Sequence, residues 1–441
     1  MHYSYKTMTA RLSNLGLLTK ISIILGCLAI VRIGSNIPLP FVNRDYIQTL
    51  LDVEGLGFLH AITGGSMLQM SFFALSVSPY ITASIVIQLM SVVSPKLEEM
   101  RKDGKTGMDR YKKITQYTGI GLALLQSAGM AIGLGAQGLL TPYTPVTIIG
   151  AIVIWTLGGI FIIFLGEFLD KLELGSGISL ILFSNIVASL PSDFQNIYTV
   201  FTVDGSAAVQ IVKITGLLLV IIGVIAMCVK CSETSKQLPV VQTRKLTGSA
   251  KSTFPIPLMT CSVMPVIFAG SIMSMPILIA QFVPSMKTGI IGHIITALNT
   301  AAWFDVEMPW YSAGAVLYFF LTTVFTYFYL EIGFNATEIA ENLKKSGAVI
   351  PGIRPGKPTE NYIRSLSTRI ALLGNTIMTG IILFMYLLCS ISHVGMLSIA
   401  GTSCFICVNV VLEEKKKMES SLAVRTRKAH SFLLAGKHLT A

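Results

Sequence analysis

Charge is what this chain lacks most. Of its 441 residues only 12% are Asp, Glu, Lys or Arg, while 52% are hydrophobic, and mean hydropathy is +0.69. Soluble domains carry roughly 25% charged residues. A globule of this length with so few charges cannot face water on all sides. The composition excludes a soluble enzyme and predicts an all-α, polytopic membrane protein with lipid as part of its solvent.

Chemical motifs are missing as well. No nucleophile–base constellation, P-loop or zinc pattern appears, so no catalytic residue, metal ligand or cofactor is expected. The seven cysteines are Cys27, Cys228, Cys231, Cys261, Cys389, Cys404 and Cys407. Cys228/Cys231 and Cys404/Cys407 have the CxxC spacing of zinc or redox sites. With no histidine or second CxxC close by in sequence, they read as small apolar residues in or near spans. Ionisable residues are scarce inside the apolar stretches too: Glu167, Asp170, Lys213 and Glu331 fall near their ends. Coupled carriers need charge well inside the membrane, so this scarcity argues against one. No small-residue cleavage site follows the first apolar stretch; Ile37-Pro38-Leu39-Pro40 does, so that stretch is expected to remain as a span.

What is present is hydrophobic length. A span needs about 20 mostly apolar residues. Ten are expected, over 17–36, 71–94, 115–136, 146–168, 178–193, 207–229, 258–283, 310–333, 368–391 and 394–412, the last two joined by a tight turn around Ser392-His393. With the N-terminus placed in the cytoplasm, 29 of the 33 basic residues fall on cytoplasmic segments, as the positive-inside rule requires. The four exceptions are Arg32, Arg44, Lys213 and Lys287. Both termini are therefore expected in the cytoplasm. The net charge of +11 is then a topology signal and an attraction to anionic lipid. The same basic loops are candidate docking surfaces for an acidic partner such as ribosomal RNA or an acidic protein.

Two spans are interrupted by proline, at Ser78-Pro79-Tyr80 and Met264-Pro265-Val266. These are the second and the seventh, the same position in two five-span halves. Matching interruptions point to an inverted repeat with the functional path between the halves; unrelated kinks, which membrane helices tolerate, are the simpler reading. Before the second span lies Leu56–Met70, with Gly64-Gly65-Ser66 inside it. It is too short to cross and reads as a re-entrant or interfacial piece.

Several blocks now become specific. They include Arg32-Ile33-Gly34-Ser35-Asn36-Ile37-Pro38-Leu39-Pro40, Pro79-Tyr80-Ile81-Thr82-Ala83-Ser84-Ile85, Lys113-Ile114-Thr115-Gln116-Tyr117-Thr118, Gly177-Ile178-Ser179-Leu180, Pro265-Val266-Ile267-Phe268-Ala269 and Pro351-Gly352-Ile353-Arg354-Pro355-Gly356. In this order and on these spans, the chain resembles the SecY/Sec61α family of protein-conducting channels over residues 16–412. The resemblance implies two inverted five-helix halves around a central hourglass pore, 1–195 and 205–412, with a basic tail over 413–441. The cytoplasmic loops would be about 230–257 and 334–367.

By position, the resemblance implies a pore ring of Val77, Ile81, Ile178, Leu182, Ile267 and Ile406. An aliphatic constriction dewets and so holds back ions without a charged filter. It implies a plug over about 55–66, with Leu56, Gly64, Gly65 and Ser66. It implies a lateral gate bordered by Pro79, Gln126, Met259 and Pro265. Cytoplasmic docking falls to Arg354, Lys357, Lys344, Lys345, Arg244 and Lys245. The implied partners are SecE-type and SecG-type small subunits, the SecA motor or the ribosome, signal-bearing polypeptides and anionic lipids, in a bacterial cytoplasmic membrane. The chain departs from the family at Met259, usually asparagine; at Phe41, usually glycine; at Leu172-Glu173-Leu174-Gly175-Ser176-Gly177; and in a shorter, less basic Ser232–Pro257 loop. Three alternatives stay open: an accessory homologue serving a restricted set of exported substrates, an unrelated ten-span transporter, and a membrane-anchored scaffold.

Overall fold

The structure, a computed structural model, describes residues 16–43, 63–67, 69–172, 175–202, 207–242, 252–259, 263–282, 286, 289–304, 308–392 and 401–419. The helices in chain order are α1 (Leu17–Ser35), α2 (Ser78–Val93), α3 (Pro95–Lys102), α4 (Gly104–Gly133), α5 (Pro145–Asp170), α6 (Gly177–Thr202), α7 (Ala207–Glu233), α8 (Met264–Phe282), α9 (Gly289–Leu298), α10 (Ala313–Gly333), α11 (Ala336–Lys345), α12 (Lys357–Ile391) and α13 (402–419). Among the described residues, seven helices are long and apolar enough to cross a membrane; an eighth counts if α2 and α3, bent by 110°, are one span. Large apolar side chains lie bare on the surface, Val146 at 80% and Ile290 at 81% exposure among them. That much exposed hydrocarbon needs lipid against it.

Two compact units divide the chain. Among the described residues, one takes in those up to Leu190 and those from Val410 on; the other takes in those from Pro191 to Asn409. In the first, α1 ends where Pro38 and Pro40 remove the amides a helix needs. The extended chain beyond it forms isolated bridges, Pro38 with Ser71 and Val42 with Leu140. α4 and α5 meet through the Ser127 and Thr156 hydroxyls at 2.7 Å. The start of α5 is fixed by a capping box between Thr144 and Thr147, which satisfies amides the helix leaves open.

In the second unit, α8 meets α10 through Phe268, edge-on to Phe325 and Tyr329. α10 meets α12 through a polar ladder: Thr322 to Thr379 at 3.2 Å, Thr326 to Asn375 at 3.0 Å and Asn375 to Thr323 at 3.1 Å. Cys228 on α7 lies 3.8 Å from Cys404 on α13, a sulfur contact across two helices and outside either CxxC pair.

The chain is predominantly helical, and one small sheet accompanies the helices. Three strands, β1 (Ser235–Gln242), β2 (Ser252–Pro257) and β3 (Ala348–Val349), form a sheet in the order β2-β1-β3. β1 pairs antiparallel with β2 from Ser235 opposite Pro257 to Val240 opposite Ser252, and with β3 at Val241 opposite Val349. Leu238 and Ile256 of the hairpin bury against Ile370 of α12, with Leu258, Phe334 and Leu366 around them. Hairpins of this size are marginal alone, and the apolar seat on α12 stabilises this one.

Span boundaries also shift. Residues 72–77 are turns and α2 begins only at Ser78, with Pro79 in its first turn, where a missing amide costs nothing. Leu258 and Met259 are likewise turn residues, and Pro265 stands second in α8. α6 runs on to Thr202 with Pro191 inside it. α12 starts at Lys357, well before the apolar stretch, and the described helix α13, 402–419, runs past the expected span end at 412, while 394–400 lie outside the described residues. His393 lies outside the described residues.

Candidate functional site

The first unit holds a folded segment, described at 63–67 and 69–77 and called the 63–77 segment below, between the end of α1 and the start of α2. Its backbone turns at Gly64 (φ 63°), Gly65 (φ 82°), Met70 (φ 46°) and Ser76 (φ 46°). Positive φ is ordinary for glycine and strained for Met and Ser, so the surroundings must hold the latter two. They do so by hydrogen bonds. Ser66 Oγ donates to the Thr63 carbonyl at 2.8 Å and contacts that of Phe73 at 2.9 Å. Ser71 Oγ donates to Ser66 O at 3.2 Å, and fully buried Trp155 of α5 donates to Ser71 O at 3.1 Å. A Cβ on Gly158 of α5 would collide with the Phe72 carbonyl, so α5 and the segment meet backbone to backbone.

This scaffold presents Val77, fully buried, at the N-cap of α2, and Ile81 one turn later. A second aliphatic pair, Ile178 and Leu182, stands one turn apart at the start of α6. That start is fixed by Asp170, whose Oδ1 accepts from the Gly177 amide at 2.7 Å. Gly177 also packs so closely on the Gly166 carbonyl that a side chain has no room. In the second unit, Ile267 is the fourth residue of α8 and Ile406 lies near the start of α13; both are buried, at 8% and 3% exposure. All six expected ring residues therefore fall at the N-cap or within the first two turns of four helices, four in one unit and two in the other.

Of the expected gate residues, Pro79 and Pro265 are buried at two of these helix starts, Gln126 is half-buried on α4, and Met259 is half-buried in the turn before α8. Of the expected plug residues, Gly64, Gly65 and Ser66 belong to the 63–77 segment, and Leu56 lies outside the described residues. Of the docking residues, Lys344 and Lys345 are exposed at the end of α11, Arg354 is exposed in the following loop and Lys357 opens α12. Arg244 and Lys245 lie outside the described residues. Among the described residues no cluster of His, Cys, Asp or Glu could hold a metal.

Sequence reading missed Arg32, Ser76 and Asn185. Arg32 of α1 donates from Nη1 to the Gly64 carbonyl at 3.3 Å and from Nη2 to Asn185 Oδ1; Asn185 Nδ2 donates to Ser76 Oγ at 2.9 Å. The available signal was Arg32 itself, a basic residue off the cytoplasmic pattern and inside an apolar helix.

Apolar helices, glycine-mediated backbone contacts and buried polar ties among helices make this a multi-pass helical membrane protein. The sequence profile of the SecY family matches residues 71–414. A protein translocase subunit SecY of Corynebacterium glutamicum is 32% identical over 437 residues, 91% of this chain and 94% of that one. A solved protein-conducting channel superimposes with a TM-score of 0.70 at 17% identity, covering 91% of each chain. Sec61 from a canine ribosome–channel complex of the endoplasmic reticulum gives 0.65 at 17% identity over 91% of each. The chain belongs to the SecY family.

Proposed function

We propose that this chain is the pore-forming subunit of a protein translocase, conducting unfolded secretory polypeptides across the cytoplasmic membrane and releasing membrane segments sideways into lipid. The observation that carries the reading is the placement of six aliphatic side chains, Val77, Ile81, Ile178, Leu182, Ile267 and Ile406, at the N-cap or in the first two turns of four helices. Brought to one level, they form an apolar throat that excludes hydrated ions when empty and yields around a chain of any sequence, because it offers no fixed hydrogen-bond pattern. The stretch over 55–66 is the plug, and the proline-started helices α2 and α8 flank the lateral gate with Gln126 and Met259. The halves are 1–195 and 205–412, with 413–441 as the tail.

Both termini lie in the cytoplasm on this reading, as the basic residues require. Lys344, Lys345, Arg354, Lys357, Arg244 and Lys245 then face a motor of the SecA type or a ribosome. The family's role as the channel in ribosome-bound Sec61 complexes supports the ribosome as a partner. Small subunits of SecE and SecG type and anionic lipids complete the assembly. The chain is not an enzyme: it supplies a path, and its partners supply the drive.

The test is ion conductance of the full-length protein, purified with its membrane partners and reconstituted in liposomes. Ile81→Asp and Ile267→Asp each place a charge in the throat and are expected to make the resting vesicles leak, while depletion in cells makes signal-bearing precursors accumulate. Tight vesicles with both variants, together with normal secretion after depletion, would overturn the proposal.

A further inference from the structure

We infer that Arg32 and Asn185 form a releasable latch that holds the 63–77 segment, and through Ser76 the throat residue Val77, in the closed arrangement. This inference rests on the channel reading and adds a positioning role for two residues outside the throat. Its basis is a continuous chain of hydrogen bonds joining three stretches distant in sequence. Arg32 of α1 reaches the Gly64 carbonyl and Asn185 of α6; Asn185 reaches Ser76.

The chemistry fixes the orientation. A guanidinium has donors only, so Asn185 must present its amide oxygen to Arg32. Its NH2 is then left for the Ser76 hydroxyl. Asn185 is fully buried and Ser76 nearly so, so neither bond is easily exchanged for water. Ser76 holds a φ of 46°, a conformation a serine leaves unless something retains it, and Val77 is the next residue. At the other end the fit is just as close. A Cβ on Gly64 would sit 2.6 Å from Arg32 Nη2 and 2.9 Å from Asn185 Cα. The guanidinium and α6 together thus close on the segment's backbone.

The latch is built to let go. Among the described residues no carboxylate pairs with Arg32, and its Nε is buried without a partner. A guanidinium held by a neutral carbonyl and a neutral amide is held less firmly than one in a bidentate carboxylate pair. A structural anchor would use the carboxylate. An element that must release when a polypeptide enters is served better by neutral acceptors.

The difference gives a test with opposite signs. Asn185→Leu removes the amide's bonds to Arg32 and to Ser76. Asn185→Asp replaces the neutral acceptor with a charged one and can still accept from the Ser76 hydroxyl. The full-length protein, purified with its membrane partners, is placed in planar bilayers and its resting ion conductance recorded. The expectation is a rise of about tenfold for Asn185→Leu, the scale of one charge-assisted hydrogen bond, and a fall below the parent for Asn185→Asp. Arg32→Gln is expected to follow Asn185→Leu. Should Asn185→Leu fail to reach the membrane, Ser76→Ala removes one bond and is expected to raise conductance by a smaller factor.

Conductance that moves the same way in the Asp variant as in the Leu or Ser76→Ala variant, or moves in none, overturns the latch. Ile81→Asp is run alongside. A leak there with no effect at Asn185 sinks the latch and leaves the channel reading standing; no leak there, with tight Ile267→Asp vesicles and normal secretion after depletion, sinks the channel reading itself.

Discussion

The backbone amide of Gly177 donates to Asp170 Oδ1 across 2.7 Å, so the carboxylate that ends one long helix begins the next. The same aspartate lies 3.5 Å from Lys112. The helix it starts carries Ile178 and Leu182 in its opening turns.

Asp170→Ala should therefore loosen the start of α6 while leaving the rest of the fold intact. Loss of a side-chain cap costs about 1 kcal/mol, so a drop of about 1–2 °C in melting midpoint is expected in detergent for a chain larger than an ordinary domain. Limited proteolysis should show earlier cleavage near 171–177. An unchanged midpoint and cleavage pattern would show that Gly177 is held without the carboxylate.

Gly158→Val should be among the most damaging substitutions in the first unit. The new side chain collides with the Phe72 carbonyl and lies against Phe73. Overpacking of this kind costs about 1–3 kcal/mol, and here the obstacle is backbone. Gly216, with open space around it, is the matched control. Membrane yield and thermal midpoint should fall for Gly158→Val and hold for Gly216→Val.

Glu414 predicts a pH dependence. Burial pushes its carboxyl up from 4.5 to about 7, with Glu413 adding to the rise and Lys417 opposing it. Its carboxylate lies against Gly175, where a Cβ would overlap it. Because the folded form binds the proton more tightly, folding stability falls as pH rises from about 4.5 to about 7 and is level beyond. Glu414→Gln removes that loss. Its midpoint should match the parent below pH 4.5 and exceed it above pH 7, the gap opening between the two values. A gap that is constant with pH would contradict this account.

Arg354→Glu should separate docking from folding. The side chain is exposed, while the loop's shape is held by the backbone: Thr359 Oγ1 donates to the Arg354 carbonyl at 2.8 Å, and Gly352 and Gly356 supply positive φ. Stability should change by no more than about 0.5 kcal/mol. Binding to ribosomes or to an isolated motor, followed by co-sedimentation at low salt, should weaken by about tenfold or more. Undiminished binding to both would place docking elsewhere.

The sequence made some of this legible and hid the rest for physical reasons. Hydropathy located the helices because lipid imposes one rule on every residue of a span. Pro79 and Pro265 read as interruptions inside two spans, whereas each stands in the first turn of its helix, where a missing amide costs nothing. The sheet was invisible: β1 and β3 are about a hundred residues apart, and nothing in Ala348–Val349 names Val241–Gln242 as a partner. Asn185 was hidden for the same reason. An asparagine in an apolar helix could have faced several neighbours, and its meaning depends on an arginine 153 positions away.

The sheet has a mechanical consequence. β1 is shared, so the 235–257 hairpin and the loop carrying Arg354 are parts of one object seated on α12. On the proposed reading, a partner that grips either loop grips both, and its load passes into a 35-residue rod belonging to the second unit.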